Sequence, residues 1–278
     1  MALKSGMAAQ VGLKTESTYG TAVTVDRFTP LVSESMTEQI ARMESAGIVP
    51  DRRVLASQQW AAGDVEVSGD LGFELYQQGM GLWFRHMFGA VSTSGAGPYT
   101  HTFTPGDLTD DHFTLQIGKP DVGGTVQPFT YAGCKVTEWE LAAKAGELVT
   151  LGVSVVGRDL ATATSLATAS YGTGSGLPFS FAHASVTVGG SAAYVKEITL
   201  KGSNGLAVDR RGIGSAYIKE PLEAELRTYE GEMVCEFESL AQMNLFRNGT
   251  ENALVLTIDA GSAAKCVITT NVRYDGST

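Results

Sequence analysis

Across residues 64–75, Val65, Val67, Leu71, Phe73 and Leu75 fall on one parity and Asp64, Glu66, Ser68, Asp70 and Glu74 on the other. A period of two over this length predicts a strand with one buried face and one wet, acidic face. The period then changes. Over residues 76–88, Met80, Trp83, Phe84, Met87 and Phe88 recur at helical spacing and predict an amphipathic helix. Gly79 and Gly81 each weaken it by about 1 kcal/mol relative to Ala. The same order returns near the other end of the chain. Met233, Cys235 and Phe237 alternate with Glu232, Glu236 and Glu238. Leu240, Met243 and Phe246 then mark one face of a helix over 240–247, with Asn248-Gly249 as its stop. Either an ancient duplication or two independent β-α junctions would give this pattern.

Between the two units the alternation marks further strands: Phe113, Leu115 and Ile117; Thr137, Trp139 and Leu141, facing away from Glu138 and Glu140; and Val149, Leu151, Val153 and Val155. Others are expected near 186–188, 198–200, 222–226, 254–258 and 268–272. Two segments do not fit. Residues 31–62 show no clear alternation and mix both charge signs with scattered Met, Ile, Val and Leu; a loop of that length is uncommon unless it is functional or ordered by a partner. Residues 160–180, including Gly172-Thr173-Gly174-Ser175-Gly176, are rich in Ala, Thr, Ser and Gly and read as a flexible loop. The expected fold is mainly β: a single domain over 1–278, a sandwich or barrel with one or two short helices.

Composition supports this picture. Thirty-three glycines against 8 prolines suit many tight turns, and 43% hydrophobic residues suffice for a packed core. The formal net charge of −10, with no cluster of Lys and Arg, excludes static binding of nucleic acid through its phosphates. Passing contact is another matter, because an acidic surface repels phosphate. Cys134, Cys235 and Cys266 lie far apart without metal-type spacing and read as buried, reduced thiols. The first residues lack an apolar signal region and no window reaches membrane-spanning length, so synthesis in a cytoplasm without membrane insertion is expected.

Catalytic constellations are missing from the sequence. His101 and His112 stand near Asp107, Asp110 and Asp111, but without HxH or HExxH spacing, and read as solvated turn residues. There is no GxSxG elbow, and the glycine runs lack the Lys-Ser/Thr and helix of a phosphate-binding loop. The carboxylates sit in strings at alternate strand positions, not as an isolated pair among aromatics. No cofactor or metal is expected, and the chain reads as a structural protein, not an enzyme. Single-sign faces suit surfaces that shape a field, such as a channel wall.

Several short stretches are similar to one known family. Glu16-Ser17-Thr18-Tyr19-Gly20-Thr21, Phe28-Thr29-Pro30, Ser33-Glu34-Ser35 and Arg42-Met43-Glu44-Ser45 resemble the opening of the tail tube (major tail) proteins of long-tailed, siphovirus-type bacteriophages. Residues 63–75, Tyr131-Ala132-Gly133-Cys134-Lys135-Val136 and residues 198–237 continue the likeness. The resemblance implies a β-sandwich subunit whose strands join those of its neighbours into one barrel within a six-membered ring. Stacked rings would form a tube in the virion tail, assembled in the host cytoplasm. The implied partners are further copies of the chain, a tape measure protein, a tail terminator and distal tail proteins, with double-stranded DNA in transit. On this reading Asp64, Glu66, Asp70, Glu74, Glu232, Glu236 and Glu238 are candidates for the lumen. Segment 31–62 becomes an arm for contacts between subunits or rings, with Met36, Ile40, Arg42, Met43, Ile48, Arg52, Arg53 and Leu55 as its candidate contacts. A tail terminator, a capsid decoration protein and a carbohydrate-active sandwich are the alternatives.

Overall fold

The computed structural model describes residues 6–172, 176–236, 240–261 and 264–276. After a 3-10 turn at Gly6–Ala8 come β1 (Gln10–Thr15), β2 (Arg27–Thr29), β3 (Ser33–Glu34), β4 (Thr37–Glu44) and β5 (Trp60–Glu74). Helix α1 (Gly81–Phe88) leads into β6 (Gly89–Ser94), β7 (Thr100–Pro105), β8 (Phe113–Pro120), β9 (Val126–Lys144), β10 (Thr150–Gly157) and β11 (Asp159–Ala161). The remainder holds β12 (Ala184–Val188), β13 (Ser191–Ala193), β14 (Val195–Ser203), β15 (Thr228–Cys235), α2 (Ala241–Asn248), β16 (Asn252–Asp259) and β17 (Lys265–Val272). The chain is mainly β and its ladders are antiparallel; among the described residues no sheet closes into a barrel.

Strand β9, 19 residues long, organises the molecule. Its first half pairs with β8 on one edge and β11 on the other, in a sheet that continues to β1 and β2. Its second half lies between β10 and β14, in a sheet running β5-β10-β9-β14-β15 with β3 and β4 on the outer edge of β5. The strand changes sheets at Gly133, where its register with β8 slips between Leu115↔Tyr131 and Phe113↔Cys134. Gly133 has φ +62°, the left-handed conformation of a bulge that bends a strand, and a Cβ there would stand 2.8 Å from the Tyr19 ring.

Both sheets cover one core. Leu13, Phe113, Leu115, Ile117 and Tyr131 come from the first sheet, and Val65, Val67, Leu71, Phe73, Leu141 and Val153 from the second. Helix α1 inserts Trp83, whose ring lies 4.9 Å from Phe73 and whose indole N–H donates to Thr29 Oγ1 at 3.1 Å. Val186, Leu254, Leu256 and Ile258 extend the core beneath a third sheet, β13-β12-β16-β17.

The alternation of 64–75 is reproduced: Val65, Val67, Leu71, Phe73 and Leu75 are buried, and Asp64, Glu66 and Asp70 are exposed. Helix α1 starts later than its periodicity predicts, because Gly79 takes φ +90° and Gln77 N–H bonds Leu177 instead. The strand expected at 222–226 does not form; only an isolated bridge, Leu206↔Glu223, remains. Side chains of residues 223–227 instead clasp the base of the β6–β7 ribbon. Arg227 donates to Phe88 O and Gly106 O, and Glu223 Oε2 accepts Leu108 N–H at 3.3 Å. The 31–62 segment contains β3, β4 and the first residues of β5. β4 pairs with β5 from Thr37↔Ser68 to Glu44↔Trp60, making a hairpin with an exposed tip. Within 160–180, residues 162–172 run without a regular strand, yet Gln116 holds Ala167 N–H and Ser165 O, and Gln10 holds Ala167 O. Thr173, Gly174 and Ser175 of the glycine run lie outside the described residues.

Candidate functional site: an acidic sheet face and a hairpin arm

The outward face of the β5-β10-β9-β14-β15 sheet is built by register. One row across it reads Asp70, Ser154, Glu138, Ser203, Thr228; the next reads Gly72, Gly152, Glu140, Lys201, Glu230; the third reads Glu74, Thr150, Ala142, Thr199, Glu232. Small residues dominate β10, so the face dips into an open trough of about 1130 Å³. Asp70, Glu74, Glu138, Glu140, Glu147 and Glu230 line it, against one cation, Lys201. Lys201 Nζ sits 2.8 Å from Glu140 Oε2. Its pKa is held above the ordinary value by the hydrogen bond and charge of Glu140, reinforced by Glu232 and Glu230. Asp70 Oδ1 accepts the Ser154 hydroxyl at 2.6 Å, which ties the acidic row of β5 to β10.

This arrangement separates the acidic candidates. Asp70, Glu74 and Glu232 share the sheet face with one another. Asp64 and Glu66 keep the same parity but lie where β5 has passed the end of β10 and pairs with β4. Glu236 follows the end of β15 and pairs with Lys196 at 3.1 Å, and Glu238 lies outside the described residues. Glu138, Glu140 and Glu230, absent from the sequence candidates, complete the face. Alternation put Glu138 and Glu140 on a wet side, but only the register with β10 and β14 brings them beside Asp70 and Glu230.

The arm candidates also divide. Met36 is buried at the arm's root, its carbonyl accepting the Tyr131 hydroxyl at 3.2 Å. Ile40, Arg42, Met43, Ile48, Arg52, Arg53 and Leu55 are exposed, Ile48 at 94%. Arg42 lies over the Trp60 ring, 5.5 Å from its centroid, and Gln59 shapes the tip through Ala56 N–H and Gly47 O. Trp83 and Trp139 are buried on apolar faces, as their helix and strand positions predict, and Trp60 is exposed on the arm.

Compared with known families, residues 6–277 match the sequence model described as phage tail tube protein. The chain belongs to the phage tail tube family. No curated protein matches it. It is therefore a structural component of the virion tail, in a family whose members assemble into tubes. The two family-like stretches around Glu16 and Gly133 prove to be one structural unit. Glu16, 3% exposed, accepts four hydrogen bonds: Gly20 N–H at 3.0 Å, Thr114 Oγ1–H at 2.7 Å, Gly133 N–H at 2.9 Å and His112 Nδ1–H at 3.2 Å. This tail tube subunit thus fastens its N-terminal loop to the bend in β9.

His112 is accordingly buried, contrary to its expected place in a solvated turn, because Glu16 compensates its desolvation. A ligand-type cluster of Asp110, His112 and Glu220 has its polar atoms within 4.8 Å of one another. The charge of Glu220 is already met. The ammonium of buried Lys135 stands 2.5 Å from Glu220 Oε1 and also donates to Leu108 O and Pro221 O. A second buried pair, His86 Nδ1 and Asp111 Oδ1 at 2.9 Å, joins α1 to the same loop.

The cysteines differ from expectation in one case: Cys134 is buried and Cys266 half-buried, but Cys235 is exposed at the end of β15. Burial pushes the Cys134 thiol well up and Cys266 to about 11. Since the thiolate is the reactive form, maleimide at neutral pH should label Cys235 alone. Peptide mass mapping checks this, and rapid labelling of Cys134 without denaturant would contradict the packing described.

Proposed function

We propose that six copies of the chain close into a ring and that rings stack into the tube through which the phage genome is ejected, with the acidic trough facing the lumen. The observation that carries this reading is the single-sign, concave sheet face. Six carboxylates against one lysine would be a poor choice for an ordinary solvent surface, where both signs are interspersed. Lining a conduit, they repel phosphate along its whole length, so that a duplex passes without the counterion-release attraction that holds DNA to basic proteins.

Strand edges support the ring. The sheet has β15 at one side and the arm strand β4 at the other. Joining such edges between neighbours removes the exposed backbone groups an isolated sheet presents. Six five-stranded faces, at about 4.8 Å per strand, enclose a circumference of roughly 140 Å, ample for a DNA duplex. The exposed arm suits contacts between subunits or rings. Tape measure, terminator and distal tail proteins are the partners such a tube requires, and assembly takes place in the host cytoplasm.

Negative-stain electron microscopy of the purified chain tests this directly. Stacked rings of six-fold symmetry are expected, with heavy-atom-labelled Glu140→Cys, in a Cys235→Ser background that removes the exposed native thiol, on the inner wall. Isolated subunits at every concentration, or label on the outer wall, would overturn the reading.

A further inference from the structure

We propose that the β6–β7 ribbon docks on the free edge of β17 in a second copy of the chain, extending that copy's four-stranded sheet. The inference rests on the tail tube reading, which supplies many copies in fixed repeats, and adds an interface separate from the lumen sheet and the arm.

The ribbon is a two-stranded sheet of its own. It leans on α1 through Phe103, whose ring lies 5.6 Å from Phe84, and Arg227 fixes its base through Phe88 O and Gly106 O. Beyond that base, no backbone hydrogen bond among the described residues joins β6 or β7 to another strand. Both outer edges are therefore open. Residues 89–105 contain no Asp, Glu, Lys or Arg, in a chain with 50 such residues (20 basic and 30 acidic).

Exposed edges normally carry charges that discourage pairing with another chain. The other outer strands of this protein obey that rule: Arg27 in β2, Glu38, Arg42 and Glu44 in β4, Asp159 in β11, Glu230 and Glu232 in β15. Strand β13 is only three residues long. Apart from the ribbon, one long edge breaks the rule. After Lys265, β17 has no charge through Val272, and its outer edge makes no backbone hydrogen bond among the described residues.

The side chains of the two edges suit each other. The ribbon presents Ser92, Thr93, Thr100 and Thr102, and β17 presents Val267, Thr269 and Asn271. Cross-strand Ser/Thr and β-branched pairs of this kind stabilise a ladder. Ribbon and β17 are different surfaces, so their union is heterologous and repeats from copy to copy, as a ring or filament demands.

Hydrogen–deuterium exchange on the full chain, free and assembled, tests the pairing. Amides in 90–104 and 266–272 should slow at least tenfold in tubes relative to free subunits. In a variant with residues 92–102 replaced by Asn-Gly, the protection of 266–272 should disappear, or assembly should fail while the subunit melts as wild type does. Rapid exchange of 266–272 in wild-type tubes, or full protection there in tubes of the variant, would overturn the pairing and leave the tail tube reading intact. Wild-type chain that forms no rings at all would overturn both.

Discussion

Glu16→Ala should lower the unfolding free energy of the free subunit by about 3–5 kcal/mol, the usual consequence of breaking a buried, paired charge. The size follows from what the carboxylate leaves behind. Gly20 N–H, Gly133 N–H, the Thr114 hydroxyl and the His112 ring all lose their acceptor in a site closed to water. Each unsatisfied buried group costs about 1–3 kcal/mol, and partial relaxation brings the sum into the stated range. For a chain of this size the melting temperature should fall by roughly 10 °C. Glu16→Gln should lose less, because one carbonyl oxygen still serves Thr114 and Gly133, while its amide N–H₂ faces the remaining donors. Urea denaturation of both variants is the measurement. A loss under 1 kcal/mol for the alanine variant would mean that the loop is not held by this residue.

Shortening the arm should abolish long tubes without affecting the subunit. Residues 46–57 lie beyond the last β4–β5 pair, Glu44↔Trp60, and are exposed apart from partly covered Ala56. Replacing them with Asn-Gly keeps Met36 in the core and the Ser35 hydroxyl on Asp70 N–H at 2.8 Å. A wider deletion of 36–58 would remove that anchor and confuse folding with assembly. The expected result is soluble protein with unchanged melting and no tubes beyond short stacks in electron micrographs. Tubes of ordinary length would show that the arm tip is dispensable.

The strands of the core were legible where a face is buried. Val65, Val67, Leu71 and Phe73 declare their strand because the opposite parity is wet, and Val149 to Val155 do the same. The β6–β7 ribbon left no such trace, since nearly all its side chains are exposed and nothing selects one parity over the other. The acidic face was half visible: each string of carboxylates could be read locally, but adjacency of Glu138, Asp70 and Glu230 depends on pairings between distant strands. Glu16 was least legible. Three of its four donors come from 96, 98 and 117 residues away, so nothing local distinguishes it from a solvated glutamate.

Because β9 belongs to both large sheets, neither can rotate against the other without tearing the ladders that this one strand makes with β8, β10 and β14. In the proposed assembly, a tail that curves would therefore find its compliance at the joints between copies, where arm tips and strand edges would meet. On that reading the subunit is a stiff bead in a bendable string, and the proposed channel wall would keep the same cross-section while the string flexes.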